Sequence, residues 1–235
     1  MTDGSEGLPP PEHDIPVGRV GVSERPGLPW EADDPGRSAH GVFDTIRVVL
    51  FSPTEAFRSM RQGGDVPGAI AFLLIVGTFG SFFGLLWQAA TRTMVGSFGG
   101  LNFGEIAVAN TIGVFWFIAA PIAVLLFAVV VTGIYHLLLL LFGGAPHPPE
   151  TTLKTVCYAA GANYIWLAMP LCGGLVATLW GIVSTTIGLR EAQEVPTGRA
   201  AAAVLVPYLL VCCCLMLSLL IFGAAVGALA GVAGG

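Results

Sequence analysis

The residues able to do chemistry in this chain are few and widely spaced. His136 is the one ionisable side chain set well inside a long apolar run. Such a group marks either a proton or solute path or a structural hydrogen bond. Asn163 and Tyr164, and further along Ser184, Thr185 and Thr186, could line a path for a small solute. They could equally hydrogen-bond between helices, the ordinary use of such side chains in a bilayer. The five cysteines (Cys157, Cys172, Cys212, Cys213 and Cys214) lack paired CxxC spacing. The last three would project about 100° apart on a helix, so they cannot form one metal site. There is no His-Glu-x-x-His, no Gly-x-Ser-x-Gly, no P-loop and no dinucleotide fingerprint. Glu105 has no carboxylate partner in an apolar run, so the usual relay of a proton-coupled transporter is missing. The expectation is a protein that is not an enzyme, with no catalytic residue, metal site or cofactor.

The elements that hold these residues are read from where charge is missing. Only 11% of residues are charged and 54% are hydrophobic, where a soluble domain carries about 25% charge. Charges are absent from 66–90, 106–149, 155–189 and everything after Arg199. Each gap can hold a helix of about 20 residues, enough to cross ~30 Å of hydrocarbon. The sequence therefore predicts an all-α, polytopic helical membrane protein. With no basic, aromatic-interleaved patch, nucleic acid is not an expected partner.

Three regions follow. Residues 1–40 are acidic and rich in Pro and Gly, without hydrophobic period, and read as a disordered cytoplasmic tail. They also lack the basic start and apolar run of a cleaved signal peptide. Residues 41–62 carry Val42, Phe43, Ile46, Val49 and Leu50 at helical spacing, as expected of amphipathic helices at the membrane surface. Within them Ser52-Pro53-Thr54-Glu55 reads as a capping box opening a helix to about Arg61. Residues 63–235 form the membrane domain, with five spans at about 66–90, 113–142, 152–169, 174–189 and 199–222. Pro170-Leu171-Cys172-Gly173-Gly174 supplies the turn between spans 3 and 4. Pro121 is the only breaker in 106–142, which is read as one span with an interfacial lead-in.

Basic residues accumulate on the cytoplasmic side of membrane proteins. With the N-terminus inside and five spans, nine of the ten basic residues fall inside and only Arg92 outside. The C-terminus is then outside. The spacings Gly80 to Gly84, Gly223 to Gly227 and Gly227 to Gly231 allow close helix approach and admit a homo-oligomer.

Three segments carry a family resemblance. They are Phe51-Ser-Pro-Thr-Glu-Ala-Phe-Arg58, the turn from Met169 to Gly174, and Ile187-Gly-Leu-Arg-Glu-Ala-Gln-Glu-Val-Pro-Thr-Gly-Arg-Ala200. Together they resemble the Yip1 family, over about residues 45–222. The resemblance implies five spans, a cytosolic N-terminus and, for a bacterial-type member, residence in the inner membrane. It carries over no catalytic residue. Eukaryotic relatives act in vesicle trafficking with Rab GTPases, but the Asp-Leu-x-Gly-Pro motif of that branch is absent here.

Two functions are compatible with this reading. A non-enzymatic scaffold would organise lipids of the bilayer, or membrane or cytosolic proteins, through Phe43, Ile46, Phe57, Arg58, Arg190, Glu191 and Arg199. A small-solute channel or transporter would instead be lined by spans 2 to 4, using His136, Asn163 and the Ser184 to Thr186 cluster.

Overall fold

The computed structural model describes residues 25–32, 38–98 and 103–233, the side chains of 97, 103 and 224–233 excepted. The described residues are helical, without strands. In chain order they form α1 (Pro29–Ala32), α2 (Ala39–Phe51), α3 (Pro53–Ser59), α4 (Val66–Phe98), α5 (Phe103–Leu141) and α6 (Pro149–Asn163). A 3-10 segment (Tyr164–Ala168), α7 (Gly173–Ala192) and α8 (Thr197–Ala233) complete the chain.

Among the described residues, three helices are long and apolar enough to cross a membrane: Val66–Gly96, Gly104–Leu141 and Thr197–Gly223. The chain thus has the build of a multi-pass membrane protein. The most apolar stretches of α5 and α8 are only 6% buried inside the protein, against 33% for α4. Their outward faces therefore need an apolar solvent. At 39 residues α5 is roughly 58 Å long, well beyond the ~30 Å hydrocarbon layer. It runs unbroken through Pro121, and the lead-in expected from Ile106 is continuous with it. Proline removes one helical hydrogen bond, which membrane helices tolerate.

The centre of the bundle is α6, packed by α2, α4, α5 and α7. Eleven of its fifteen residues are buried, among them Thr151, Thr152, Lys154 and Thr155. Because protein rather than lipid surrounds it, α6 needs matched polar partners more than apolar composition. Phe72 of α4 stacks against Tyr158 with ring centroids 5.2 Å apart. After the 3-10 segment the chain turns at Pro170–Cys172, where Leu171 has φ 64°, and returns as α7.

The sequence expectation of a disordered tail to residue 40 is corrected for residues 25–32. Leu28 and Trp30 are buried in the core, Trp30 lies 6.3 Å from the Phe72 ring, and its indole N–H donates to the Gly68 carbonyl at 2.8 Å. One large aromatic side chain anchors a segment whose composition otherwise reads as linker. Residues 1–24 and 33–37 lie outside the described residues.

A second correction concerns residues 52–55. Ser52 makes no side-chain cap to α3, whose first position is held by Pro53. Ser52 also caps the C-terminus of α2, donating its backbone N–H to the Val48 carbonyl, so its backbone conformation is already committed. The side-chain cap is found instead at α2, where Ser38 Oγ accepts from the Gly41 N–H at 3.2 Å. At α4, Asp65 Oδ1 accepts from the Gly68 N–H at 3.2 Å, directly after the Gly63-Gly64 break.

Candidate functional site

The polar side chains gather at the end of the bundle where α4, α6 and α8 begin and α5 and α7 finish. Arg25, Arg47, Arg58, Arg61, Lys154, Arg190 and Arg199 all belong to segments meeting at this end. Arg92 sits toward the other end of α4, donating to the Ala109 carbonyl of α5 at 3.1 Å.

At the base of this end lies a buried ion pair. Lys154 Nζ is 2.5 Å from Glu31 Oε1, and both side chains are fully buried. Lys154 also donates to the Arg61 carbonyl at 2.7 Å, and Glu31 Oε2 accepts from the backbone N–H of Leu28 at 3.0 Å and of Arg61 at 3.1 Å. Burying a charge is tolerable only when it is paired and hydrogen-bonded like this. The pair staples the 25–32 segment and the α3–α4 connection to α6. Alongside it, Thr151 Oγ1 donates to the Gln62 carbonyl at 2.5 Å.

The outer layer is built from the 190–199 connection. Glu191 accepts from Arg58 at 2.8 Å and from Arg190. Burial pushes its carboxyl up, but hydrogen bonds from Arg58 and Arg190, with their positive charges, more than offset this and hold it below the usual carboxylate range. Glu194 is held low chiefly by its hydrogen bond from Gln62, with burial opposing and His147 and Arg25 assisting. Arg25 reaches Glu194 at 2.7 Å and the Phe57 carbonyl at 3.1 Å. Glu194 has φ 54° and ends α7, with the Val195 N–H bonded to the Arg190 carbonyl at 3.1 Å, a Schellman-type stop with glutamate where glycine is usual.

Beneath these, buried Gln193 joins three elements. Its Oε1 accepts from the His147 N–H at 3.1 Å, and its Nε2 donates to Thr152 Oγ1 at 2.9 Å. Thr152 in turn meets His136 Nδ1 at 3.1 Å. Gln193, Gln62, Lys154, Glu31, Arg25 and Glu194 were not singled out by sequence reasoning. The signal available was the polar run 190–194 itself, whose interior members point inward.

The sequence-predicted residues divide into separate places. Phe43 is exposed, Ile46 is half-buried against the core, Arg58 is exposed, and Arg190 and Glu191 are partly buried in the ion-paired layer. Arg199 is exposed and donates to the Gly143 carbonyl at 3.1 Å. Phe57 is corrected: it is fully buried, lodged against Gly188 of α7, and cannot meet a partner.

His136 and Asn163 are not brought together. The Thr152 that holds His136 and Asn163 itself are eleven residues apart on α6, roughly 16 Å along its axis. Asn163 Nδ2 donates to Ser184 Oγ at 2.8 Å and to the Ala159 carbonyl at 2.7 Å, so α6 and α7 are pinned by a buried polar pair. Tyr164 and Thr185 line a cavity with Asn163, whereas Thr186 and His136 do not. Cys157 is buried and Cys172 and Cys212 to Cys214 are exposed, and no group of three or more His, Cys, Asp or Glu is placed to hold a metal among the described residues.

No curated protein and no solved structure matches this chain. A family model does: the Yip1 domain model covers residues 47–232, from the middle of α2 to the end of α8. The match takes in both the 51–58 and 187–200 segments and the Arg58–Glu191 pair that joins them, while Arg25 and Glu31 lie before it, and the chain belongs to the Yip1 family.

Proposed function

We propose that this protein crosses a bacterial inner membrane five times, N-terminus in the cytoplasm and C-terminus outside, and acts without catalysis, by contact. Its docking face is the outer side of α2, α3 and the 190–199 connection, offered to a membrane or cytosolic protein. The observation that carries this reading is the pairing of an exposed apolar stripe with an ordered base. Phe43, Arg47 and Phe51 follow one another at i, i+4 and i+8 on α2, and Phe43 and Phe51 are 69% and 73% exposed. Their helix is held from behind by buried Thr45, Val49 and Leu50, with Thr45 Oγ1 accepting from the Trp30 N–H at 2.9 Å, which lowers the ordering cost of binding.

Five spans are supported by the surface of α7. Its 20 residues are roughly 30 Å long, and Leu175, Leu179 and Val183 form an exposed stripe that water would disfavour by about 1.5–3 kcal/mol per fully exposed side chain. The low apolarity of α6 is accounted for by its shielding from lipid. The gathering of basic residues at one end supports this orientation. A channel lined by His136, Asn163 and Ser184 finds no support in one polar path, since these groups sit in two separate places, each already hydrogen-bonded.

The test is photocrosslinking in intact membranes from positions 43, 47 and 51, with position 57 as the buried control. A discrete adduct of the same protein from the three exposed positions, and none from 57, is expected. Lipid adducts alone would sink the docking reading.

A further inference from the structure

A groove of about 480 Å³ runs between α4 and α5 toward the end of the bundle away from the ion pairs, with Leu167 of the 3-10 segment also in its wall. Its size is within the roughly 300–1,000 Å³ of small-molecule sites. The α4 wall is Ser81, Gly84, Leu85, Gln88 and Arg92, which recur at i, i+3, i+4, i+7 and i+11 and so share one helix face. Gly113, Phe117 and Ala120 of α5 line the other side. From Ser81 to Arg92 is roughly 16 Å along the helix axis, about half of the ~30 Å hydrocarbon layer. The groove therefore has the depth of one leaflet.

The one charged group in the wall stands at the shallow end. Arg92 is exposed and makes no ion pair among the described residues. Its guanidinium itself reaches the groove, since a Cβ on Gly113, which lines it, would lie 3.5 Å from Arg92 Nη1. Nη1 donates to the Ala109 carbonyl at 3.1 Å and Nη2 to Gln88 Oε1 at 3.2 Å. These two bonds orient the planar group and use two of its five N–H donors, leaving three for another acceptor. Both partners are neutral, so the charge is not compensated. Beside an apolar wall a cation is favoured by an anionic partner, and arginine takes phosphate through paired N–H donors. Trp87 and Trp116 are exposed at the same end, as tryptophans are at a membrane interface. Glu105 lines the next hollow along, which Arg92 also borders, so an anion is received on the Gly113 side.

We propose that this groove holds one phospholipid of the leaflet away from the polar end, its phosphate on the Arg92 guanidinium and one acyl chain along the apolar trough toward Ser81 and Ala120. Two features together commit the site to this occupant: a cation at the depth of bilayer phosphates, and behind it a trough one leaflet deep. A free phosphate would use only the first, and an uncharged lipid only the second. The proposal needs only α4 and α5 to cross the membrane, as their length and apolarity allow. It stands apart from the docking face on α2, and either can fail without the other.

The test uses purified full-length protein in a nonionic detergent and a phosphatidylglycerol carrying a diazirine in one acyl chain. Unlabelled phosphatidylglycerol, a diacylglycerol with the same chains, and inorganic phosphate compete for labelling. Saturable labelling within 81–92 or 112–120, displaced at least tenfold better by phosphatidylglycerol than by either competitor, is expected. Two variants supply the second arm. Arg92→Gln removes the charge, and Gly84→Leu fills the trough at a position where a Cβ meets only Leu167 Cδ1 at 3.8 Å. Each should lose at least tenfold in labelling with its melting temperature kept. Should a variant not fold, the competition on the unaltered chain decides. Equal displacement by diacylglycerol would reduce the groove to an apolar sink, and equal displacement by phosphate would make Arg92 a soluble-anion site. Either result, unsaturable labelling, or full labelling of a folded variant would overturn the proposal.

Discussion

Lysine 154 and glutamate 31 are the pair on which the polar end of the bundle most depends, since neither side chain touches solvent. Removing one member of such a pair strands a buried charge, which costs about 3–5 kcal/mol, while removing both charges is far cheaper. Lys154→Met should therefore lower the thermal midpoint in detergent strongly, and adding Glu31→Gln should recover much of the loss. Gln is chosen because Glu31 also accepts from two backbone N–H groups. If the double variant melts no higher than the single, the pair is not the staple described. Acid should loosen the layer above it. Glu191 and Glu194 are both held below the ordinary carboxylate range of about 4.3. A depressed pKa contributes stability that is complete above the unfolded value and is lost as pH falls through the folded one. The midpoint should thus be flat near neutrality and drop below about pH 4, and Glu191→Gln with Glu194→Gln should remove part of that dependence. At this scale the sequence was a partial guide. Arg58, Arg190 and Glu191 were legible because charges beside an apolar run must find partners. Glu31 was not, because its partner is 123 positions away in sequence and nothing local distinguishes it from the other acidic residues around it.

Helix spacing is governed by glycines at two close crossings. A Cβ at Gly80 of α4 would lie 2.2 Å from the Tyr164 carbonyl oxygen, and one at Gly173 of α7 would lie 2.2 Å from the Trp166 carbonyl oxygen. Both obstacles are backbone, so no rotamer change relieves them. Gly80→Ala must push α4 off the 3-10 segment, and overpacking of this kind costs about 1–3 kcal/mol. The matched control is Gly133→Ala on α5, where a Cβ meets nothing within 4 Å and alanine's helix propensity should leave stability equal or up to ~1 kcal/mol higher. Guanidinium-free thermal scans of the two variants should separate in opposite directions; coincident midpoints would remove Gly80 from the list of packing determinants. The Gly80 to Gly84 spacing was readable from sequence, and only its first member proves critical, since Gly84 meets no more than Leu167 Cδ1 at 3.8 Å. A Cβ at Gly223 meets nothing within 4 Å, and Gly227 and Gly231 lie beyond the described side chains. Among whole elements, the long apolar helices and the Pro170 turn were legible because they are written in local composition. The unity of α5 was less so, since Pro121 interrupts hydrogen bonding without interrupting the helix. The burial of α6 was invisible, because shielding by four neighbours is a property of the assembled bundle.

The whole molecule poses one topological question, and the parity of the spans decides how it can be asked. Three apolar helices satisfy length and hydropathy, and adding α6 and α7 as a hairpin makes five. Both counts put the two termini on opposite sides, and both put residue 98 outside and residues 146 and 194 inside. Probes at those three positions cannot separate them. The turn between the 3-10 segment and α7 can, because it lies outside if the hairpin crosses and inside if it does not. The chain supplies its own reporter there: Cys172 is exposed, next to Leu171, which is 93% exposed. A protein retaining Cys172 alone, with Cys157 and Cys212 to Cys214 changed to alanine, should react with a membrane-impermeant maleimide added to the outside of intact cells. Phe98→Cys should react from the same side, and Pro146→Cys only after the membrane is opened. The energetic case for this outcome is the α7 surface: Leu175, Leu179 and Val183 are 64%, 58% and 43% exposed, on a helix with no charge from 173 to 189. If the hairpin lay in the cytoplasm, that stripe would face water beside a cap already rich in ion pairs. Labelling of Cys172 only in opened membranes, with Phe98→Cys still labelled from outside, would return the protein to three spans and turn the α7 stripe into an apolar surface needing a cytoplasmic cover.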